Sequence, residues 1–201
     1  MDNIPKFKFI DLFCGIGGFH QAMISFGGEC VLACDIDKNC REVYENNYNI
    51  TPYPDITKLK TEDIPDFDVL CGGFPCQAFS VAGYQKGFKD PRGNVFWEIV
   101  RLLEDKKPEI VFLENVKNFL GHADGKTLST TLSLLNRAGY QVHYSLLNAS
   151  RYGVAQKRER VYFVCFRKEL GIEDFRFPEP SDDDVAVEDI LLPSDDPRLL
   201  N

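Results

Sequence analysis

Two glycine-rich segments, each directly after a short apolar run, hold the residues best suited to chemistry in this 201-residue chain. The first, from Asp11 to Gly18, has the sequence DLFCGIGG. Glycines at the end of a strand let a ligand approach the backbone closely. The GxGxxG dinucleotide fingerprint is incomplete, because His20 stands where its third glycine would be. The segment therefore favours a nucleoside-type ligand over a dinucleotide, although a tight turn without a ligand fits the same residues.

Asp35 follows the second apolar run, twenty residues after Gly15. An acid at this distance is placed to accept hydrogen bonds from ribose hydroxyls. A solvated surface carboxylate is the alternative.

The second glycine-rich segment, VLCGGFPCQ, places Cys76 immediately after Pro75. Proline fixes the local backbone φ, and reactive groups collect at loops of this kind. Cys76 is thus a candidate nucleophile, and the polar stretch from Ser80 to Gly93 is long enough to act as a lid. A buried structural cysteine is an equal alternative, since reactivity requires an environment that favours the thiolate.

Two charged segments complete the candidate set. Glu114 ends an apolar run, and in a dry pocket it would serve as a proton donor. A helix cap or a solvated acid is the alternative. Arg158 and Arg160 precede the last apolar run, where strand alternation predicts that they share one face. A solvated sheet edge explains such a charge run equally well.

The elements that must position these residues alternate in type along the chain. Apolar runs predict strands over residues 7–13, 30–34, 67–71, 110–114, 140–147 and 161–166. Helical spacing predicts helices over residues 19–26, 38–47, 95–104 and 127–138. This order predicts an α/β, Rossmann-like fold with a mostly parallel sheet and helices on both faces.

Composition excludes several classes of protein. No run of eighteen apolar residues and no signal-peptide pattern is present, so we expect a soluble, cytoplasmic protein that does not enter a membrane. Seven cysteines without a CxxC pair fit neither a disulfide framework nor a zinc site, and we expect no metal. Most of them should be reduced core residues.

The net charge of -8 is concentrated at one end of the chain. Residues 1–168 carry 21 Lys and Arg against 20 Asp and Glu, whereas residues 169–201 carry 2 against 11. Prolines among the acids of this second segment predict an extended conformation. Because segment 1–168 is near neutral, the acidic net charge of the chain does not argue against a nucleic-acid partner. Its small charge is no evidence for such a partner either.

Four segments, DLFCGIGGF, FPCQAFS, ENVKNF and QKRERVYFVCFR, together resemble the hallmark blocks of the cytosine-C5 DNA methyltransferase family, in the same order. The resemblance covers residues 7–167. It implies that residues 1–168 are a catalytic domain that binds S-adenosylmethionine, and that 169–201 is an extension toward a target-recognition region. The cofactor residues it implies are Phe13, Gly15 and Gly17 around the methionine end, Asp35 on the ribose, Ile36, Asp55 and Ile56 at the adenine, and Pro75.

The same resemblance implies a catalytic set acting on cytosine. Cys76 would add to C6, Glu114 would donate a proton at N3, Arg160 would contact O2 and Arg158 would steady the site. Because C6 is inaccessible in a stacked duplex, the base must be flipped out of double-stranded DNA. The further substrate contacts implied are Gln77, Ser80, Asn115 and Val116.

The family's target-recognition region and its final helix have no match in this chain. We therefore expect a fragment, or one polypeptide of a split enzyme that needs a second, in a restriction-modification context. RNA as the substrate, or a catalytically silent binding or regulatory module, are the competing hypotheses.

Overall fold

The computed structural model describes residues 7–75, 95–181 and 185–193. The strands are β1 Lys8–Leu12, β2 Glu29–Cys34, β3 Val69–Gly73, β4 Ile110–Val116, β5 Tyr140–Asn148 and β6 Glu159–Arg167. The α-helices of the described residues are α1 Gly18–Ser25, α2 Lys38–Tyr48, α3 Val95–Lys106 and α4 Lys126–Arg137. Each predicted element is present, with its ends displaced by no more than two residues. Within the described ranges, no helix combines the length and the apolar character that crossing a membrane requires.

The six strands form one sheet in the order β2-β1-β3-β4-β6-β5. Strands β2, β1, β3 and β4 are parallel, whereas β6 is antiparallel to both β4 and β5. The predicted mostly parallel sheet is therefore confirmed. The carboxyl ends of β1 to β4 meet at one edge, and the reversed direction of β6 brings its first residues to the same edge.

Apolar side chains hold helices to both faces of the sheet. On one face, α3 and α4 cover the main core, in which Leu113 and Phe163 are fully buried. On the other face, Met23 of α1 packs in a cluster with Phe9, and Tyr44 of α2 packs against the end of β2. Complete burial of one large apolar side chain contributes roughly 1.5–3 kcal/mol, so these contacts fix the helices that flank the strand ends.

Helix α2 begins at a well-formed cap. The carboxylate of Asp37 accepts hydrogen bonds from the backbone N–H groups of Asn39 and Cys40 at 2.7 and 3.2 Å. Such a cap stabilises a helix by about 1 kcal/mol. Its position sets where α2 starts relative to the end of β2.

Part of the second face has no helix over it within the described residues. An apolar cavity of about 900 Å³ lies where β4, β6 and β5 continue beyond α1. Its lining includes Met23, Phe26, Phe112, Tyr162, Val164 and Phe175. The side chain of Phe26 is 63% exposed. Helices lie on both faces of the sheet, as predicted, and within the described residues those on the second face cover its half near β1.

The acidic segment after β6 lies along the sheet in an extended conformation, as predicted. Residues 171–181 form neither helix nor strand. The ring of Phe175 packs against His143 and Phe166, with centroid distances of 5.4 Å to each. The backbone N–H of Ser181 donates to the carbonyl of Arg151 at 2.8 Å. These contacts make the segment one wall of the apolar cavity.

Candidate active site

The turn that follows β1 has the strained backbone that its glycines predict. Gly15 and Gly17 have φ values of 53° and 96°, and Phe13 is also left-handed, at 56°. A non-glycine residue in this region costs roughly 1–2 kcal/mol. One support for the turn is the carboxylate of Asp35, which accepts the N–H of Gly15 at 2.8 Å.

Asp35 and Ile36 lie beside this turn at the end of β2. The second carboxylate oxygen of Asp35 accepts the N–H of Asp37 at 2.8 Å, so both oxygens are fixed. The side chain of Ile36 is 79% exposed and offers an open apolar surface. A Cβ placed on Gly15 would meet no atom within 4 Å, so the space beside the turn is free. A fixed carboxylate next to an exposed apolar side chain fits the ribose and the base of a nucleoside.

Asp55 and Ile56 reach the same edge because Tyr53 forms a bridge with the end of β2. Asp55 accepts hydrogen bonds from the hydroxyl and the N–H of Thr57 at 2.7 and 3.0 Å and pairs with Lys58 at 3.4 Å. The Thr57 hydroxyl is the largest of the contacts that lower the pKa of Asp55. Ile56 is 5% exposed and packs in the main core, so its side chain is not available to a ligand.

Beneath the turn lies a buried polar network. The hydroxyl of Tyr44 is 2.6 Å from Nδ1 of His20 and 3.4 Å from Oδ2 of Asp11. Asp11 and Tyr44 are fully buried, and Oδ1 of Asp11 has no hydrogen-bond partner among the described residues. Burial raises the pKa of Asp11 to about 8, although the backbone N–H of His20 and the Tyr44 hydroxyl oppose this. Burial also lowers the pKa of His20, so near pH 7 the network contains mainly a neutral acid and a neutral imidazole.

A second group of side chains lies where β3, β4 and β6 meet the edge. The register of β3 and β4 sets Gly73 beside Glu114. Oε1 of Glu114 is 2.8 Å from Nε of Arg160 and 3.8 Å from Nη2 of Arg158. Glu114 and Arg160 are only 19% and 23% exposed, so solvent screens this ion pair less than a surface pair. The structure therefore brings together three of the predicted residues, and both arginines face Glu114 as strand alternation predicts.

Neighbouring contacts hold the two arginines in position. The side-chain oxygen of Asn148 accepts the backbone N–H of Arg158 at 3.0 Å, which fixes the start of β6 against the end of β5. The Nζ of Lys117 pairs with Glu159 at 3.0 Å. Glu159 is thereby directed to Lys117, and Glu114 is the carboxylate that pairs with the two arginines.

Asn115 anchors the start of the segment that leads to Cys76. Its side-chain amide donates to the carbonyl of Phe74 at 2.9 Å, and its side-chain oxygen accepts the N–H of Val116 at 2.9 Å. Phe74 is buried among the rings of α3 and β6, whereas Pro75 is exposed at the edge. The predicted residues Cys76, Gln77 and Ser80, with the proposed lid up to Gly93, lie outside the described residues.

The other six thiols lie in surroundings that disfavour the thiolate. In each case burial is the largest cause of a raised thiol pKa; they are Cys14, Cys30, Cys34, Cys40, Cys71 and Cys165. Four of them are buried, in agreement with the prediction that most cysteines are core residues. The described ranges contain no group of three or more His, Cys, Asp or Glu that could hold a metal ion.

A model of the family of C-5 cytosine-specific DNA methylases matches residues 7–199 of the chain. The chain belongs to this family. The Type II methyltransferase M.HhaI of Haemophilus parahaemolyticus is 50% identical to this methylase chain over 191 residues, and M.HpaII of Haemophilus parainfluenzae is 46% identical over 189. These matches cover 95% and 92% of the methylase chain but only 58% and 53% of the two relatives. The chain thus spans little more than half the length of these proteins.

Solved structures of methyltransferases share the fold of this methylase chain. A DNA modification methyltransferase encoded within an E. coli prophage aligns with a TM-score of 0.76 at 25% identity, covering 94% of the methylase chain and 56% of its own. The DNMT2 protein of Spodoptera frugiperda aligns with a TM-score of 0.67 at 29% identity, covering 86% and 54%. The sequence-based assignment to this family and fold is therefore confirmed.

Sequence patterns did not reveal the buried network of the methylase chain. In the sequence, His20 is distinguished only as a departure from the glycine fingerprint, and Tyr44 lies within the helix predicted over residues 38–47. The available signal was a set of polar residues, Asp11, His20 and Tyr44, at positions where strand and helix periodicity predict burial. Buried polar groups need partners, so three of them in neighbouring elements indicate a network.

We predict that Asp11→Asn reduces the pH dependence of the methylase's stability. The carboxyl pKa is about 8 in the folded chain against 3.8 as the ordinary value. Between these pH values the folded chain keeps a proton that the unfolded chain has lost, so stability falls as pH rises, by up to about 1.4 kcal/mol per unit. Asparagine is neutral throughout and lacks this contribution. Urea unfolding from pH 5 to 8 measures it.

Asp66→Asn is the matched control for this experiment, because the Asp66 side chain is 98% exposed. Its unfolding free energy should follow the pH profile of the original chain. Parallel pH profiles for Asp11→Asn and the original chain would show that the Asp11 carboxyl is ionised in the folded state.

Proposed function

We propose that this chain is the catalytic part of a DNA (cytosine-5-)-methyltransferase, which transfers a methyl group from S-adenosylmethionine to C5 of a cytosine flipped out of double-stranded DNA. The proposal rests chiefly on the Glu114–Arg160 pair, which lies beside Gly73, three residues before Cys76. Membership of the C-5 cytosine-specific family and the names of its Type II relatives support this reaction. They also support a restriction-modification context.

C5 of cytosine is too poor a nucleophile to attack a methyl donor unaided. The reaction therefore requires an enzyme nucleophile that activates the ring. Addition of the Cys76 thiolate at C6 converts the ring to an enamine whose C5 can accept a methyl group. Protonation at N3 by Glu114 takes up the electron pair that the addition displaces, so the adduct is neutral. When bound, S-adenosylmethionine would supply the electrophilic methyl group and leave as S-adenosylhomocysteine. Loss of the C5 proton to a base, elimination of the Cys76 thiolate and return of the N3 proton to Glu114 would then release the methylated base and the free enzyme.

Arg160 has two tasks in this proposal. In the absence of a base it pairs with Glu114 at 2.8 Å, which keeps the carboxyl group at the edge of the sheet. When a cytosine is present, its O2 would compete for the guanidinium, and Glu114, released from the ion pair, would take up a proton from solvent and donate it to N3. Arg158, 3.8 Å from the same oxygen, would keep the site's charge balanced during that exchange.

The cofactor would lie along the neighbouring strand ends. Phe13, Gly15 and Gly17 would meet the methionine end, Asp35 the ribose, and Ile36 with the Asp55–Ile56 backbone the adenine. Because β1 and β3 are adjacent in the sheet, the glycine turn and the segment after Gly73 leave the same edge side by side. This proximity would bring a methyl donor and the Cys76 segment to one cleft, with Pro75 between them. Gln77, Ser80, Asn115 and Val116 would then face the flipped base.

Full activity would require a counterpart of the region of the relatives that lies outside the match. The chain covers 58% and 53% of M.HhaI and M.HpaII. The open apolar cavity over β4, β6 and β5 is a surface that further chain would cover. The missing part would supply target recognition, either as an extension after residues 169–201 or as a second polypeptide.

Trapping on duplex DNA with 5-fluorocytosine tests the nucleophile. Fluorine at C5 prevents the final elimination, so the chain, fused to the part of M.HhaI outside the matched 191 residues, should form a covalent adduct in the presence of S-adenosylmethionine. Cys76→Ser should abolish the adduct. Cys40→Ser, which alters a partly exposed thiol of α2, should leave it intact. Adducts that survive Cys76→Ser would refute the nucleophile, and adducts on RNA alone would refute the DNA substrate.

Glu114→Gln tests the proton donor. Glutamine keeps the size of the side chain but has no acidic proton, so kcat of the same fusion should fall by about 10²- to 10⁴-fold. Affinity for S-adenosylmethionine should stay unchanged, because Glu114 lies on β4, whereas the proposed cofactor residues belong to the segments that follow β1, β2 and β3. Glu159→Gln, which breaks only the pair with Lys117, is the matched control and should retain kcat within a few fold. Equal losses in both variants would contradict the role of Glu114.

A further inference from the structure

Helix α2 contacts the glycine turn through Tyr48, one helical turn after Tyr44. The hydroxyl of Tyr48 points at the carbonyl oxygens of Ile16 and Gly17, at 3.4 and 3.2 Å, and donates its proton to them. Its ring occupies the space that any side chain on Gly17 would need. Gly17 is therefore required both by its positive φ and by the presence of Tyr48.

His20 joins Tyr48 to the buried network. The imidazole stacks on the Tyr48 ring, with centroids 3.9 Å apart and an interplanar angle of 25°. The same imidazole meets the ring of Tyr44 edge-on at 5.2 Å. Residues four apart lie on one face of a helix, so the two tyrosines enclose His20 from α2. The turn, α1 and α2 consequently pack as one unit.

The two halves of the turn have separate side-chain supports. Asp35 holds the N–H of Gly15 in the first half, and Tyr48 holds the carbonyls of Ile16 and Gly17 in the second. Ile16 is 63% exposed, so its side chain contributes little packing to hold the second half. The Tyr48 hydroxyl is thus the main side-chain constraint on this half of the turn, beside the backbone hydrogen bonds that Gly17 makes with Cys14 and Gln21.

We propose that Tyr48 is a positioning residue that preforms the second half of the turn for the methionine end of S-adenosylmethionine. This inference rests on the proposed function, because it takes the ligand from there. A turn that is already ordered loses less conformational freedom when the ligand binds, and affinity rises accordingly. Asp35 serves the ribose instead, so the two supports act on different parts of one ligand.

Binding by two ligands separates this role from a general structural one. S-adenosylmethionine and 5′-methylthioadenosine share the nucleoside, but the second lacks the amino-acid end. In Tyr48→Phe, which removes only the hydroxyl, affinity for S-adenosylmethionine should fall about three- to tenfold, as for one lost hydrogen bond. Affinity for methylthioadenosine, measured by competition in equilibrium dialysis on the full chain, should not change. Asp35→Asn should weaken both ligands.

Tyr144→Phe is the matched control, because Tyr144 is 44% exposed on β5 and its hydroxyl has no hydrogen bond in the described part of the chain. It should leave both affinities unchanged. Hydrogen exchange of the free chain gives a readout independent of ligand: the amides of Ile16 and Gly17 should exchange faster in Tyr48→Phe, while those of β1 keep their rates.

The possible results separate failure of the proposed function from failure of the role of Tyr48. Failure of the original chain to bind S-adenosylmethionine would overturn the proposed function. Binding by the original chain, with Tyr48→Phe either weakening both ligands alike or weakening neither, would overturn the role of Tyr48 and leave the proposed function standing. Unchanged exchange at Ile16 and Gly17 would overturn that role as well.

Discussion

The alignment of Gly73 with Glu114 in the parallel ladder of β3 and β4 is the constraint on which the candidate active site depends. Side chains alternate along a strand, so a shift of one residue would exchange the positions of Glu114 and the buried Leu113. The main core therefore fixes the register of Glu114, because Leu113 can be buried only when Glu114 points to the other face. The side-chain amide of Asn115 also fixes β4 relative to the end of β3, because it donates a hydrogen bond to the carbonyl of Phe74.

Burying the charged groups of Glu114 and Arg160 at this position costs the fold some stability. Glu114 and Arg160 are mostly shielded from water, and desolvation of such a pair offsets much of its Coulomb attraction. Asp11 is also costly to enclose, because one of its carboxyl oxygens has no hydrogen-bond partner among the described residues. Apolar residues of similar size would stabilise these places better. These polar groups add little to the stability of the fold. Their presence is therefore explained by the side chains and backbone that they position.

The sequence was sufficient to predict the elements and their order in the chain. Apolar runs and helical spacing are local signals, so each strand and helix was predicted within two residues. Strand alternation predicted that Arg158 and Arg160 share a face, whereas their contact with Glu114 was implied only by the resemblance to the family. The antiparallel direction of β6 was not predicted, because pairing direction depends on contacts distant in the chain.

The contacts of the glycine turn were also beyond sequence reasoning. The hydrogen bonds of Tyr44 and Tyr48 arise from the way α2 packs on the turn, and side-chain periodicity does not specify such geometry. Ile56 illustrates the same limit: its motif suggested a ligand contact, while its side chain fills the main core. Which group a polar side chain contacts depends on tertiary packing, so local sequence patterns do not predict it.

The reversed direction of β6 has a consequence for the order in which this protein becomes functional. β6 inserts between β4 and β5, so β4 remains an open sheet edge until residues 159–167 have been synthesised. β5 and β6 are sequential and antiparallel, and such hairpins form within microseconds, whereas pairing β6 with β4 closes a loop of more than forty residues. Glu114 therefore cannot meet Arg160 before β6 has paired with β4. The ion pair and this part of the sheet form together, so a chain that stops before β6 has neither.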